Sequence, residues 1–387
     1  MNYTIHRSEH GICGASVELA SGDSRVFLDP CGVIQGVKGL YKDGPRGVDA
    51  VFMSRMDPDH SSALNLLHPE IPVYLSAPAN ALLGVSNIFS GNKRCGSKPE
   101  VIKNRKIIKT GDFYCMPYPV DPLAPDGLAF LFESRGKRLF YLGDMRGIGR
   151  KKALFELVKK DPPDNIGVLL AGGSGHFVPG DGLDRTPAAA RISGMINAGK
   201  AVTFFLSMLY DVEAMCAAYN ACHRTGSVFI IDLYAAFVLG MLRKFSDRLP
   251  QYDRTDVRIR FLPGQKERLV EGGYAPLVYE YGKRSIDIFE INRMKNKILM
   301  LARDDGTLPE MAKKVEASAG AVVIDGVGRE FLSDRLKEYC KKKDMTIEDP
   351  RSGDGHLKEA LDEFYKALRP GRIVSPDDKA EVAGAVA

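Results

Sequence analysis

Met53 to His60, reading Met-Ser-Arg-Met-Asp-Pro-Asp-His, brings a guanidinium, two carboxylates and an imidazole together within the six residues Arg55 to His60. Arg55 stays protonated at any physiological pH, and its fork of donors suits Asp57 and Asp59 or the oxygens of a bound phosphate or carboxylate. Oxygen-rich donor sets prefer hard divalent ions, and an added imidazole extends the choice to zinc. His176 lies in Gly-Gly-Ser-Gly-His-Phe, a loop after a strand end, where active-site residues of open α/β folds collect. With an ordinary pKa near 6.5 it could act as a general acid, although a surface histidine capping a loop is the commoner case. The glycines from Gly172 to Gly175 lack the Gly-Lys-Ser/Thr ending of a P-loop, so a phosphate cradle there has little support.

Chain segments around these residues alternate between strand and helix patterns. Ser16 to Ala20 and Arg25 to Asp29 flank the turn signal Ser21-Gly22-Asp23, as in a hairpin. Val48 to Val51 forms an apolar run ahead of Arg55, and Ser61 to Leu67 has the pattern of a helix start. The spacing predicts a strand at Ile71 to Leu75, a short helix at Ala77 to Leu83, and strands at Leu128 to Glu133 and Arg138 to Leu142 joined by a turn. An amphipathic helix follows at Lys151 to Lys159 and a buried strand at Ile166 to Leu170. From Pro187 to Phe245 helix and strand patterns alternate, which predicts a second α/β unit. Further strands are expected at Lys297 to Leu301 and Ala321 to Ile324 around a helix at Leu308 to Ala317. The chain then returns through Leu357 to Leu368 and Arg372 to Val374, and Asp378 to Ala387 reads as a frayed tail.

Met53 to His60 resembles the metal-binding signature of the metallo-β-lactamase superfamily, His-x-His-x-Asp-His, with Arg55 and Asp57 in place of the two leading histidines and Asp59 and His60 retained. Leu28 to Gly32 is similar to the superfamily's Leu-Asp-x-Gly strand end, and Leu139 to Arg146 to its strand ending in Gly-Asp. Thr225 to Leu239 resembles the cap domain inserted in β-CASP nucleases of the RNase J kind. The resemblance implies an α/β fold, a metallo-β-lactamase αββα sandwich with an inserted β-CASP-like α/β cap. It divides the chain into a first core part at 1–184, a cap at 185–330, a return to the core at 331–377 and a tail at 378–387.

What the resemblance implies for the site is loss of one metal position. The third histidine that would follow Pro119-Val120-Asp121 is Pro122, so every histidine of the first site is missing. The second site would be formed by Asp59, His60, the bridging Asp144 and, counting from Arg369-Pro370, Asp377 in place of a terminal histidine; Asp57 is a further candidate. Such a set could hold a single Mn²⁺, Mg²⁺ or Zn²⁺, or no metal at all. Arg55 disfavours an ion at the first site, since like charges about 4 Å apart repel by roughly 4 kcal/mol per unit charge at an effective dielectric near 20. It can instead take the ion's place beside Asp57, Asp59 and Asp144. His356, after Arg351-Ser352-Gly353-Asp354-Gly355, resembles the Ser-Gly-His motif linked in those enzymes to proton transfer.

The 387 residues, with 44% hydrophobic and 27% charged side chains, suit a globular chain with a sizeable core. No apolar run reaches the roughly 18 residues a membrane span needs, the N-terminus lacks a secretory h-region, and a cytoplasmic location is expected. The seven cysteines are odd in number and scattered without a C-x-x-C pair, which argues against a disulfide framework. A net charge of +5 and a basic excess between Arg243 and Lys297 suggest RNA or another phosphate-bearing ligand as a partner, with an oligomer possible and no membrane. Three functions follow: a binding or regulatory module that has lost the dinuclear centre, a hydrolase of phosphodiesters or similar esters using one ion, or a metal-free nucleic-acid binder.

Overall fold

A computed structural model describes residues 1–6, 15–32, 34, 37–41, 47–56, 58–90, 99–103, 105–121, 124–143, 156–157, 160–171, 185–199, 202–208, 211–246, 249–294, 297–350, 356–376 and 382–386. At 58–60, 120–121, 124–126, 185–188, 213, 330 and 356–361 it describes the backbone alone. Two compact units result: the first is Met1–Asn87, Asn92–Gly182 and Gly353–Ala387, and the second is Ile88–Gly91 with Leu183–Ser352.

The first unit is built on two sheets. β1 (Asn2–His6), β2 (Ser16–Ser21), β3 (Ser24–Leu28), β4 (Ala50–Phe52), β5 (Val73–Leu75), β6 (Pro99–Val101) and the late strand β19 (Ala383–Ala385) form one, in the order β19-β1-β2-β3-β4-β5-β6. β7 (Ile108–Thr110), β8 (Phe113–Asp121), β9 (Ala124–Ser134), β10 (Lys137–Tyr141), β11 (Ile166–Leu170) and β18 (Arg372–Val374) form the other, in the order β18-β11-β10-β9-β8-β7. Each sheet changes from antiparallel to parallel partway across, at β3 in the first and at β10 in the second.

Alternation along the strands gives each sheet an inner face. Val17, Val26, Leu28, Ala50 and Phe52 from one sheet and Phe113, Phe130, Phe132, Tyr141 and Val168 from the other form a single core. Phe52 meets Phe130 and Phe132 edge-on, with centroids 5.6 and 5.1 Å apart. α1 (Pro58–Leu64) and α2 (Ala77–Ser90) are the crossovers between parallel strands β4, β5 and β6. Right-handed crossovers place both on one face, the outer one, where Val51 is fully buried. α11 (His356–Leu368) covers the outer face of the second sheet, its Phe364 and Leu368 packing with Leu131, Phe140 and Leu169. The layers are therefore helix, sheet, sheet, helix.

The second unit has one all-parallel sheet of β12 (Val202–Leu206), β13 (Val228–Asp232), β14 (Val257–Arg260), β15 (Ile298–Ala302), β16 (Val322–Asp325) and β17 (Thr346–Glu348), ordered β14-β13-β15-β12-β16-β17. β12, β13 and β15 are buried along their whole length, and apart from Thr203 and the terminal Asp232 their residues are apolar, as strands covered on both faces require.

Several boundaries differ from expectation. α1 begins at Pro58, not Ser61, because the fixed φ of proline suits the first helical position; this places Asp59 and His60 in a helical turn. α2 continues to Ser90, beyond Leu83. The helix expected over Leu308 to Ala317 ends at Ala312, followed by Lys314 at φ +62° and a separate 3-10 turn at Glu316–Ser318. Within 331–377, expected as return to the core, the helix Asp334–Lys342 and β17 belong to the second unit, and the first resumes at Gly353. The expected tail contains β19, which pairs with β1 from Asn2 to Thr4. The helix expected at Lys151 to Lys159 falls mostly outside the described residues. Cys31 is disulfide-bonded, contrary to the expectation from cysteine spacing, because bonding depends on which Cβ atoms the fold brings within reach.

Candidate active-site corner

β3, β4 and β10 end near one point, and Asp29 connects them. Asp29 follows β3 in the left-handed region, at φ +46°, and its N–H donates to the Phe52 carbonyl at 3.0 Å. Its carboxylate is 4% exposed as part of the residue and accepts from the Ser54 N–H at 2.6 Å, the Ser54 hydroxyl at 2.5 Å and the Tyr141 hydroxyl at 2.7 Å. The Ser54 carbonyl accepts from the Leu128 N–H at 2.7 Å. A buried carboxylate is tolerable when several donors converge on it, and hydrogen bonds to a charged acceptor are the stronger kind.

Gly143 closes the corner. At φ +66° it is in the region that disfavours side chains, and a Cβ there would lie 2.5 Å from Ser54 Oγ and 2.7 Å from Ser54 Cβ. Only a glycine allows the chain leaving β10 to pass so close to Ser54. Arg55, half-buried, is thus the residue next to an anchor that joins both sheets, and Met56 after it is buried.

The proposed site residues are unequally placed. Asp59 and His60 are in the first turn of α1, three to five residues beyond Met56 and Arg55, and His356 is the first residue of α11, all three in the first unit. Asp57, Asp144, His176 and Asp377 lie outside the described residues; Asp144 directly follows Gly143 in sequence. Among the described residues no group of three or more histidine, cysteine, aspartate or glutamate side chains could hold a metal ion. Asp29, Ser54, Tyr141 and Gly143, which hold the corner, fall within the strand-end and signature motifs of the sequence, but no role in the site was expected of them. The available signal was a lone aspartate, Asp29-Pro30, directly after the apolar end of a strand.

The second unit has a polar corner of its own. Asp232, fully buried at the end of β13, caps α5 (Leu233–Leu242) by accepting from the Ala235 N–H at 2.8 Å, and also accepts from Gln265 Nε2 at 2.8 Å. Arg303, 7% exposed, reaches it at 2.7 Å and bonds Asp305 at 2.9 Å. Burial opposes the guanidinium's charge, but the two aspartates outweigh it and hold Arg303 above its ordinary pKa. Burial likewise raises Asp305, yet Arg303 and the Thr307 donors bring its carboxyl below the usual range.

Four cations of the basic run between Arg243 and Lys297 bond to other residues of the second unit. Arg243 bonds Asp253, Arg260 donates to the carbonyls of Met311 and Lys313, Arg284 to that of Asp253, and Lys297 to those of Ile196 and Asn197.

No family model matches the sequence, and no curated protein sequence matches it. Among solved structures, a protein of unknown function from Enterococcus faecalis V583 is similar over 97% of this chain and 93% of its own, at 18% identity and a TM-score of 0.65. That likeness shows a shared fold across both units. Zn²⁺-bound PqqB from Methylobacterium extorquens matches 45% of this chain and 73% of its own at 15% identity and TM-score 0.35. YhfI from Bacillus subtilis, a metallo-β-lactamase fold protein, matches 44% and 70% at 14% identity and TM-score 0.31. Among the described residues no helix is long and apolar enough to cross a membrane.

Proposed function

We propose that this chain is a metallo-β-lactamase-fold relative, with a β-CASP-like second unit, in which the two-metal hydrolytic centre is lost and Arg55 binds an anionic group, a phosphate or carboxylate, where an ion would otherwise sit. The protein then works as a binding or regulatory module. The observation that supports this most is the placement of a half-buried arginine directly beside Ser54, which Asp29 clamps where strand ends of both sheets meet. Two-metal hydrolysis depends on an ion that lowers the pKa of a bound water, and a permanent cation at the first position removes that activation. Titration of the full chain with inorganic phosphate and with a short oligoribonucleotide tests the reading. Binding is expected in the wild type and at least ten-fold weaker in Arg55→Gln, a loss of about 1.4 kcal/mol or more. Equal binding by both proteins would refute it.

A single-ion hydrolase is the second reading, favoured by the adjacency of Asp59 and His60 in the first turn of α1 and of Asp144 to Gly143. Elemental analysis of protein purified without chelator separates the two. A stoichiometric metal that is lost in Asp144→Ala favours the hydrolase and removes the first reading.

A further inference from the structure

β7 is an edge strand of the second sheet of the first unit, and among the described residues only β8 pairs with it. Gly111 and Asp112 alone join the pair, so Thr110 and Phe113 beside the turn exchange hydrogen bonds while the next pair, Lys109 and Tyr114, does not. The N–H and C=O of Lys109 therefore point away from β8, toward the open edge. Ile108 packs into the core between the sheets, which turns Lys109 to the outer face beside Tyr114. There the Lys109 ammonium lies 5.5 Å over the Tyr114 ring. α11 covers this face farther in, at Leu131, Phe140 and Leu169, whereas Tyr114 is 47% and Ile107 53% exposed.

The same edge is basic. Residues 99–109 hold Lys103, Arg105, Lys106 and Lys109 against the single carboxylate of Glu100. Arg105 bonds Asp161 at 3.2 Å, but among the described residues no carboxylate pairs with the three lysines, all of them exposed. Lysine on an edge strand opposes pairing with another copy of itself, since like charges directly opposite repel; it favours a strand of the opposite sign. Other anionic partners fit less well. Lys109 covers a face of the Tyr114 ring, where a nucleic-acid base would have to stack. A flat lipid surface cannot meet the exposed apolar groups together, because Val101 pairs with Leu75 on the outer face of the first sheet and Tyr114 is on that of the second.

We propose that the β7 edge docks an extended acidic segment of a partner protein, which adds a strand to the second sheet. Backbone bonds to Lys109 hold the added strand, and alternation of its side chains sets the specificity. Carboxylates fall on the outer face opposite Lys109, within the field of Lys106 and Lys103, and their stems cover Ile107 and Tyr114. Apolar residues between them turn inward beside Ile108. A partner recognised here therefore carries acidic and aliphatic residues in strict alternation. The docking edge does not involve Arg55 and stands or falls apart from the anion site given above.

The probe is the peptide Glu-Val-Glu-Ile-Glu-Val, blocked at both ends and carrying a fluorophore, titrated with the full chain and read by anisotropy. Saturable binding with a dissociation constant of about 1 mM or below is expected, weakening as salt rises. Joint reversal by Lys103→Glu, Lys106→Glu and Lys109→Glu should weaken it about ten-fold or more, with circular dichroism checking that the variant is folded. The peptide with lysine in place of glutamate should bind that variant and not the wild type. Methylating the peptide nitrogens on alternate residues removes N–H donors without changing charge, and one of the two alternations should abolish binding to the wild type. Hydrogen exchange from Ile107 to Lys109 should slow about five-fold or more with the peptide bound, while β13 is unchanged. Absent binding, equal binding by the reversed variant, or equal binding by both methylated peptides overturns the proposal. Lysine-dependent binding of phosphatidylserine vesicles or oligouridylate with none of the peptide also overturns it and gives the edge to that anion.

Discussion

Each unit buries an aspartate at the carboxyl end of a strand, and the two satisfy it differently. Asp232 is held by an arginine, with Arg303 at 2.7 Å between it and Asp305. Asp29 is held by neutral donors, two from Ser54 and one from Tyr141, and the neighbouring arginine is not among them. In the second unit the guanidinium is therefore part of the structure. In the first, the carboxylate is already satisfied by hydroxyls and an amide, so Arg55 is not required for its neutralisation. A buried charge pair gains from mutual attraction what it loses in hydration, whereas one partner left alone keeps the whole desolvation cost. The contrast marks Asp232–Arg303 as a corner held by charge and the Asp29 corner as one held by neutral donors.

Removing the cation should separate the two corners most clearly. Arg303→Met leaves Asp232 buried without its counter-charge and is expected to cost about 3–5 kcal/mol of stability, read by urea unfolding; adding Asp232→Asn should recover part of the loss. A double variant no more stable than Arg303→Met would show that packing, not charge, dominates there. Gly143→Ala should cost about 2–4 kcal/mol, from the left-handed backbone together with the close approach to Ser54, and circular dichroism melts would show it. A neutral result would mean that the β10 exit is not fixed against Ser54. Asp29→Asn replaces an acceptor of three bonds with a group that accepts at one end only, and should cost about 2 kcal/mol. Arg55→Gln should remove anion binding, whereas Arg303→Met should leave it in place in whatever fraction stays folded; equal anion binding by Arg55→Gln and wild type would erase the distinction between the corners.

The smallest effect is expected on acidification. The Asp305 carboxyl is held below its ordinary range in the folded chain, so the unfolded chain takes up the proton first. The stabilisation it gives is complete above the unfolded value near 3.9 and is lost as pH falls below it through the folded value. Asp305→Asn should flatten that part of the stability profile of the second unit, and an unchanged profile would remove Asp305 from the pair's support.

Strand and helix order was readable wherever burial imposes a period or a continuous apolar run. β11, β12, β13 and β15 lie close to where apolar runs placed them, since a strand covered on both faces admits few polar residues. The hairpin of β9 and β10 followed from Ser134 to Lys137, whose Arg135 and Gly136 both adopt positive φ as a tight turn between twisted strands requires. Less readable were elements that depend on distant partners. β19 is a short run, Ala-Gly-Ala, that becomes a strand because β1 offers it an edge, and β17 joins the second unit for the same reason. The helix after Thr307 stops where Lys314 turns left-handed, which periodicity alone does not reveal.

From the sequence by itself come the alternation of segments, the two α/β units and the grouping of Arg55, Asp57, Asp59 and His60, because helix and strand periods and motif spacing are local properties of the chain. Tertiary structure alone decided that Asp29, Ser54 and Tyr141 meet, that Gly143 must lack a side chain beside Ser54, and that Arg303 belongs to Asp232. Those contacts join residues far apart in sequence, and burial and charge act on whatever the folded chain places in contact, however many residues separate the partners.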